Sequence, residues 1–190
     1  MAHKALIFLA GGFEEVEAVT PIDYLRRAGI EVTTVSIGPG ELVQGSHNIP
    51  VSADTTLEKL HKQGRAAPED WDAVVIPGGG KGSENLAASA EAGSFIKAMA
   101  GAGKLICAIC AAPAVVLSPL GLLKGRNFTC FPGMEKTVTG AFWTEMRVVI
   151  DGQLITSRGA GTAGEFAVAI IGKLISKAEG EKIAKAVLLT

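Results

Sequence analysis

The sequence predicts an α/β fold, a mostly parallel sheet wound on both faces by helices, in a single domain spanning residues 1–190. Three observations predict it. Short apolar or β-branched runs at 5–10, 30–36, 72–76 and 104–110 have the pattern of strands covered on both faces. Helix-period segments separate them, so strand, helix and strand succeed one another in the order of right-handed crossovers. Turns of glycine or other small residues end three of those runs, at Gly11 and Gly12, at 77–82, and just after Cys110. That is where open parallel sheets bind ligands.

The composition sets the bounds. A chain of 190 residues that is 48% hydrophobic and only 19% charged can bury a core without disulfide or metal support. The net charge of -1 gives no electrostatic footprint for nucleic acid or an anionic membrane. No apolar stretch is long enough to span a bilayer, and Met1, Ala2, His3 and Lys4 run into the first strand without a leader-like segment. A cytoplasmic location is expected, and three cysteines suit a reducing compartment.

In chain order, the strand at 5–10 gives way to a helix opened by Glu14, Glu15 and Glu17 and closed by Arg26, Arg27 and Gly29, with acids early and bases late as the helix dipole favours. Its apolar positions are read as Val16, Val19, Ile22 and Leu25, and Pro21 predicts a kink or break. After the strand at 30–36, Leu42 and Val43 with Ile49, Pro50 and Val51 predict a small hairpin at the sheet margin. A short helix is expected over 55–61 and a polar loop over 63–70. The strand at 72–76 is cut off by Pro77 and its glycines, and the next helix is expected from Ser83 or Glu84 onward. The strand at 104–110 meets Pro113, which suits the first turn of an apolar helix. A strand over 127–131, a hairpin about Asp151 and Gly152, a helix over 163–174 and a terminal helix or strand-like tail over 179–188 complete the prediction.

A strand turning directly into a helix leaves its corner side chain at the carboxyl edge of the sheet, and here that residue is Cys110. Such a thiol is either a small core hydrophobe or a nucleophile activated by the N–H groups and dipole of the helix start. The glycine-rich loop at 77–82 reads equally as an anion cradle or as a tight turn. Gly79 and Ala111 are the candidate backbone donors for an oxyanion formed at Cys110. His3, His47 and His61 all precede Cys110, which excludes a nucleophile served by a later histidine. Among the acids of the first helix, Glu17 is the candidate partner: a buried carboxyl stays protonated and relays a proton. Cys107 lies inside its strand, so the C-x-x-C spacing is not read as a redox pair, and no Cys or His set is spaced for zinc. Cys130 is read as core.

Four motifs, GFEEVEA at 12–18, PGG at 77–79, AICAAP at 108–113 and TSRGAGT at 156–162, resemble in order and spacing the DJ-1 branch of the ThiJ/PfpI superfamily. The resemblance implies a flavodoxin-like three-layer sandwich with a small edge hairpin, and a homodimer packed partly through the first helix. It implies that Cys110 is a nucleophile-elbow cysteine readily oxidised to a sulfinate, with Glu17 as its protonated carboxyl partner. Gly78, Phe131, His47 and Gly159 would line the pocket, with no metal or cofactor. Activities described for the family include cofactor-free glyoxalase conversion of methylglyoxal to lactate and deglycase action on glycated proteins and nucleotides; redox sensing and chaperone roles are also described. Phe131 stands before Pro132 where some members carry a histidine, and His47 where relatives often have arginine.

Overall fold

The computed structural model describes residues 2–189. β1 (Lys4–Leu9) leads through Gly11 and Gly12 into α1 (Glu15–Arg27), and β2 (Glu31–Ser36) follows. A hairpin of β3 (Leu42–Gln44) and β4 (Pro50–Ser52) precedes β5 (Thr55–Thr56) and α2 (Leu57–Lys62). Next come β6 (Ala73–Ile76), α3 (Gly80–Ala88), α4 (Ala90–Gly101) and β7 (Leu105–Ile109). The chain ends with the short β8 (Asn127–Phe128) and β9 (Phe142–Trp143), the hairpin of β10 (Val148–Asp151) and β11 (Leu154–Ser157), and helices α5 (Ala163–Leu174) and α6 (Lys177–Ala186).

Seven strands form one sheet in the order β10-β11-β7-β6-β1-β2-β5, parallel throughout except for β10 against β11. This is the flavodoxin-like α/β arrangement. The two-residue period of the strands divides their side chains between two cores. Leu6, Phe8, Val74, Ile76 and Ile106 pack with Trp71, Phe95 and Met99 on one face. Ala5, Ile7, Val75, Leu105 and Cys107 pack with Leu25, Phe166 and Ile170 on the other. Phe8 and Phe95 meet edge to face at 5.7 Å, the geometry that aromatic quadrupoles favour. Because the central strands run parallel, the turns after β1, β6, β7 and β11 emerge along one edge.

The elements differ from the sequence reading where a functional or backbone demand overrides pattern. α1 runs unbroken through Pro21, which is buried. It buries Glu15, Glu17, Ala18, Pro21 and Leu25, while Val16 and Val19 are 49% and 46% exposed. The buried stripe thus begins with two acids, which no apolar periodicity reports. α3 begins at Gly80, before the expected Ser83, because Gly79 at φ +85° turns the chain straight into the helix. After Pro113 the chain makes only a wide turn, with Ser118 N–H donating to the Pro113 carbonyl at 3.0 Å, and Pro119 prevents its extension. The strand expected over 127–131 stops at Phe128, and its continuation leaves the ladder to meet the corner at Cys110. The tail is the helix α6. The β3–β4 hairpin forms a sheet of its own and docks on the start of α1, where Gly12 N–H donates to the Gln44 carbonyl and Ser46 N–H to that of Phe13, both at 2.8 Å.

Candidate active site

Cys110 follows the last residue of β7, and its N–H still donates across to the Ser157 carbonyl at 2.9 Å, so the corner is held in the register of β7 and β11. To leave the sheet there, Cys110 adopts φ +64°, a left-handed conformation that a residue with a Cβ adopts at a cost of about 1–2 kcal/mol. Phe131 N–H donates to the Cys110 carbonyl at 2.8 Å and fixes the corner from the other side. The side chain is half-buried, whereas Cys107 and Cys130 are buried.

Glu17 reaches this corner from the first turn of α1. Its N–H is capped by the Glu14 carboxylate at 2.8 Å, and one carboxyl oxygen accepts from Gly78 N–H at 2.9 Å. Gly78 has no room for a side chain: a Cβ there would lie 2.6 Å from both the Cys110 Cβ and the Glu17 Oε2. Gly79 is more constrained, since its Cβ would run into the Gly12 carbonyl and lie 2.7 Å from Glu14 N. The glycine-rich turn is therefore the means by which β1, β6 and β7 bring carboxyl, amide and thiol into one space.

The electrostatics follow from that crowding. Burial, reinforced by the charge of Glu14, raises the Glu17 carboxyl to about 7 against the hydrogen bonds from Cys110 and Gly78. Burial, then the charge and hydrogen bonding of Glu17, push the Cys110 thiol up to about 12, opposed by the Gly79 and Ala111 N–H groups that face the sulfur. Two facing acids titrate as a pair. Between about 7 and about 12 the pair carries one negative charge and one shared proton.

Gly78, Gly79 and Ala111 thus converge with Glu17 on Cys110. Gly159 and Phe131 form the rim: a Cβ on Gly159 would lie 3.8 Å from Glu17 Oε1 and 3.6 Å from the Phe131 ring. The Thr162 hydroxyl holds the Gly159 loop, with its oxygen 3.1 Å from Gly159 N, 2.8 Å from Gly159 O and 2.7 Å from Ser157 Oγ. From the rim opens a cleft of about 450 Å³ whose walls include Pro132, Arg147 and Arg158. The two arginines were not singled out from the sequence, although Arg158 lies inside the TSRGAGT motif. His47 stands apart from the thiol, with its ring on Glu15 at 3.0 Å and 4.0 Å from a Glu14 oxygen. Burial works to raise Glu15, but the hydrogen bonds from the His47 ring and backbone and from Ile49 N–H outweigh it and hold the carboxyl at about 2. Glu14, Glu15 and His47 are the residues whose donor atoms are grouped as metal ligands require, among the described residues.

Comparison with known proteins gives the same picture along the whole chain. The DJ-1/PfpI family matches residues 3–173. The Drosophila melanogaster protein dj-1beta is 39% identical over 191 residues, covering 100% of this chain and 98% of its own length. Protein DJ-1 homolog B of Arabidopsis thaliana is 40% identical over 98% of this chain, which spans only 41% of that longer protein. A Pyrococcus horikoshii protein named deglycase PH1704 is 34% identical over 82% of this chain and 89% of its own. The structure of oxidized Toxoplasma gondii DJ-1 superposes with a TM-score of 0.92 at 38% identity, covering 98% of both chains. No helix among the described residues is long and apolar enough to cross a membrane. With the fold, the four motifs and these relatives in agreement, the chain belongs to the DJ-1/PfpI family.

Proposed function

We propose that the protein is a cofactor-free, cysteine-dependent enzyme acting on small reactive dicarbonyls, with methylglyoxal to lactate as the reaction. The observation that supports this most is the corner itself, where the Cys110 sulfur faces the Glu17 carboxyl and the Gly79 and Ala111 N–H groups. The thiolate adds to the aldehyde carbon, forming a C–S bond, and the oxyanion is held by those two N–H groups. Glu17, having given the pair's shared proton to that oxyanion, removes the proton from the same carbon and returns it to the neighbouring carbonyl carbon, while the hydroxyl proton passes to the neighbouring oxygen. This oxidises the first carbon and reduces the second, leaving a thioester. Water hydrolyses the thioester, so the balance is one dicarbonyl and one water to one hydroxy acid, with no outside oxidant. The relative named as a deglycase is in keeping with carbonyl chemistry at this class of site.

Purified protein incubated with methylglyoxal is expected to form lactate, and Cys110→Ala to form none above buffer. Equal turnover by the two proteins would overturn the proposal.

The access of the three thiols favours a second reading, an oxidation-sensing stress protein or chaperone. Cys110 alone is half-exposed, while Cys107 and Cys130 are buried. Mild peroxide is expected to add two oxygens to Cys110 only, read by peptide mass spectrometry; oxidation spread over all three cysteines would count against it. We further place a second copy of the chain against the exposed Val16 and Val19 of α1, an arrangement that sedimentation would weigh. Three unpaired cysteines suit a cytoplasmic setting.

A further inference from the structure

At the start of α1 the β3–β4 hairpin brings His47 over the consecutive acids Glu14 and Glu15. We propose that Glu14 Oε1, Glu15 Oε2 and His47 Nδ1 form a binding site for a divalent transition-metal ion. Their donor atoms all lie within 4.8 Å of one another, with His47 Nδ1 3.0 Å from the Glu15 oxygen and 4.0 Å from the Glu14 oxygen. An ion about 2.0–2.2 Å from each nitrogen or oxygen ligand holds neighbouring ligands about 3.3–3.6 Å apart, so the His47 and Glu15 atoms are already close enough and the Glu14 carboxylate has to move in to complete the triangle.

The site is built rather than assembled from loose surface groups. Glu15 is 5% exposed, and its other oxygen, Oε1, is held by the N–H groups of His47 at 2.7 Å and Ile49 at 3.4 Å. Those bonds aim Oε2 at the imidazole, the kind of outer-shell support that ligating carboxylates have. Gly45 has no side chain because the Glu15 carboxyl occupies its place. Ser46 Oγ, 3.1 Å from Glu15 Oε2 and 3.0 Å from His47 Nδ1, is in position to serve as a fourth ligand or as a donor to one. The His47 side chain is 71% exposed, which leaves an entry path and open coordination positions. One imidazole nitrogen with two carboxylates suits zinc, cobalt, nickel or copper better than calcium, which takes oxygen alone. The positions 14, 15 and 47 have no local spacing that announces a ligand set, which is why the sequence conceals them.

Titration with cobalt(II) tests this, using the Cys110→Ala protein beside the wild type so that the half-exposed thiol is removed as a competitor. The expected result is one ion per chain in both proteins, with the weak visible bands of oxygen and nitrogen ligation and no sulfur-to-metal charge transfer. His47→Ala and Glu14→Gln are each expected to weaken binding by at least about tenfold while melting stays cooperative; the glutamine still accepts the Glu17 N–H. Equal affinity in His47→Ala, absence of saturable binding at millimolar cobalt, or a charge-transfer band that vanishes in Cys110→Ala would overturn the site. None of these readouts depends on dicarbonyl turnover.

Discussion

Replacing Glu17 by Gln is expected to lower methylglyoxal turnover by about 10²–10⁴-fold while Cys110 remains open to alkylation. The glutamine is isosteric and still accepts from Gly78 N–H, so the corner keeps its shape. What it loses is the proton. In the wild type the first ionisation of the pair falls near the Glu17 value of about 7, and turnover is expected to rise through that pH. In the variant only the buried thiol is left to ionise, and the acid limb moves upward toward the ordinary thiol range. The same variant has a stability signature of determined sign. A folded carboxyl at about 7 against an unfolded one near 4.5 holds its proton while the unfolded chain releases it. Stability contributed by Glu17 is therefore complete below about 4.5 and lost as pH rises through about 7, a loss of about 3 kcal/mol. Melting of the wild type from pH 4.5 to 7.5 compared with Glu17→Gln reads it: the variant lacks this decline. Parallel curves would show that Glu17 is not held protonated.

Gly79→Ala is expected to destabilise the fold by about 4 kcal/mol, roughly a 10 °C fall in melting temperature. Two costs add. At φ +85° and ψ 127° an alanine occupies backbone space open in practice to glycine, and its Cβ meets the Gly12 carbonyl and Glu14 N, which are backbone atoms that cannot rotate away. The neighbouring Gly80 is the control, being exposed, at the first position of α3 and with nothing within 4 Å of an added Cβ. Gly80→Ala is expected to be neutral or to stabilise by about 0.5 kcal/mol. Thermal melts of the two variants beside the wild type make the comparison, and a similar change in both would show that the turn is not confined by its neighbours.

These expectations rest on features with unequal visibility in the sequence. The central strands were legible because burial on both faces writes a continuous apolar run, and the β10–β11 hairpin because Asp151 and Gly152 permit few other conformations. The corner at Cys110 was legible as a position, since strand, small residues and Pro113 follow one another closely. α1 was read correctly at Glu17 and Leu25, which are buried, and wrongly at Val16 and Val19, which are exposed. A rule that turns apolar residues inward selects Val16 and Val19, while the fold buries Glu15 and Glu17 with hydrogen bonds that come from Gly78, His47 and Ile49, all distant in sequence. The start of α3 and the end of β8 were displaced for a related reason: each is set by a backbone contact, Gly82 N–H with the Gly12 carbonyl at 3.0 Å and Phe131 N–H with that of Cys110, rather than by side-chain pattern.

The left-handed backbone of Cys110 bears on how such a protein persists over generations. A glycine at that corner would relieve the strain, and cysteine and glycine codons are separated by a single base change. Drift toward stability alone therefore has a short path that erases the thiol. A side chain at φ +64° is disfavoured by the fold itself, so under the proposed reaction the corner would be held by selection for chemistry. In a gene copy released from that selection, this is the position where decay would first register as a gain in stability.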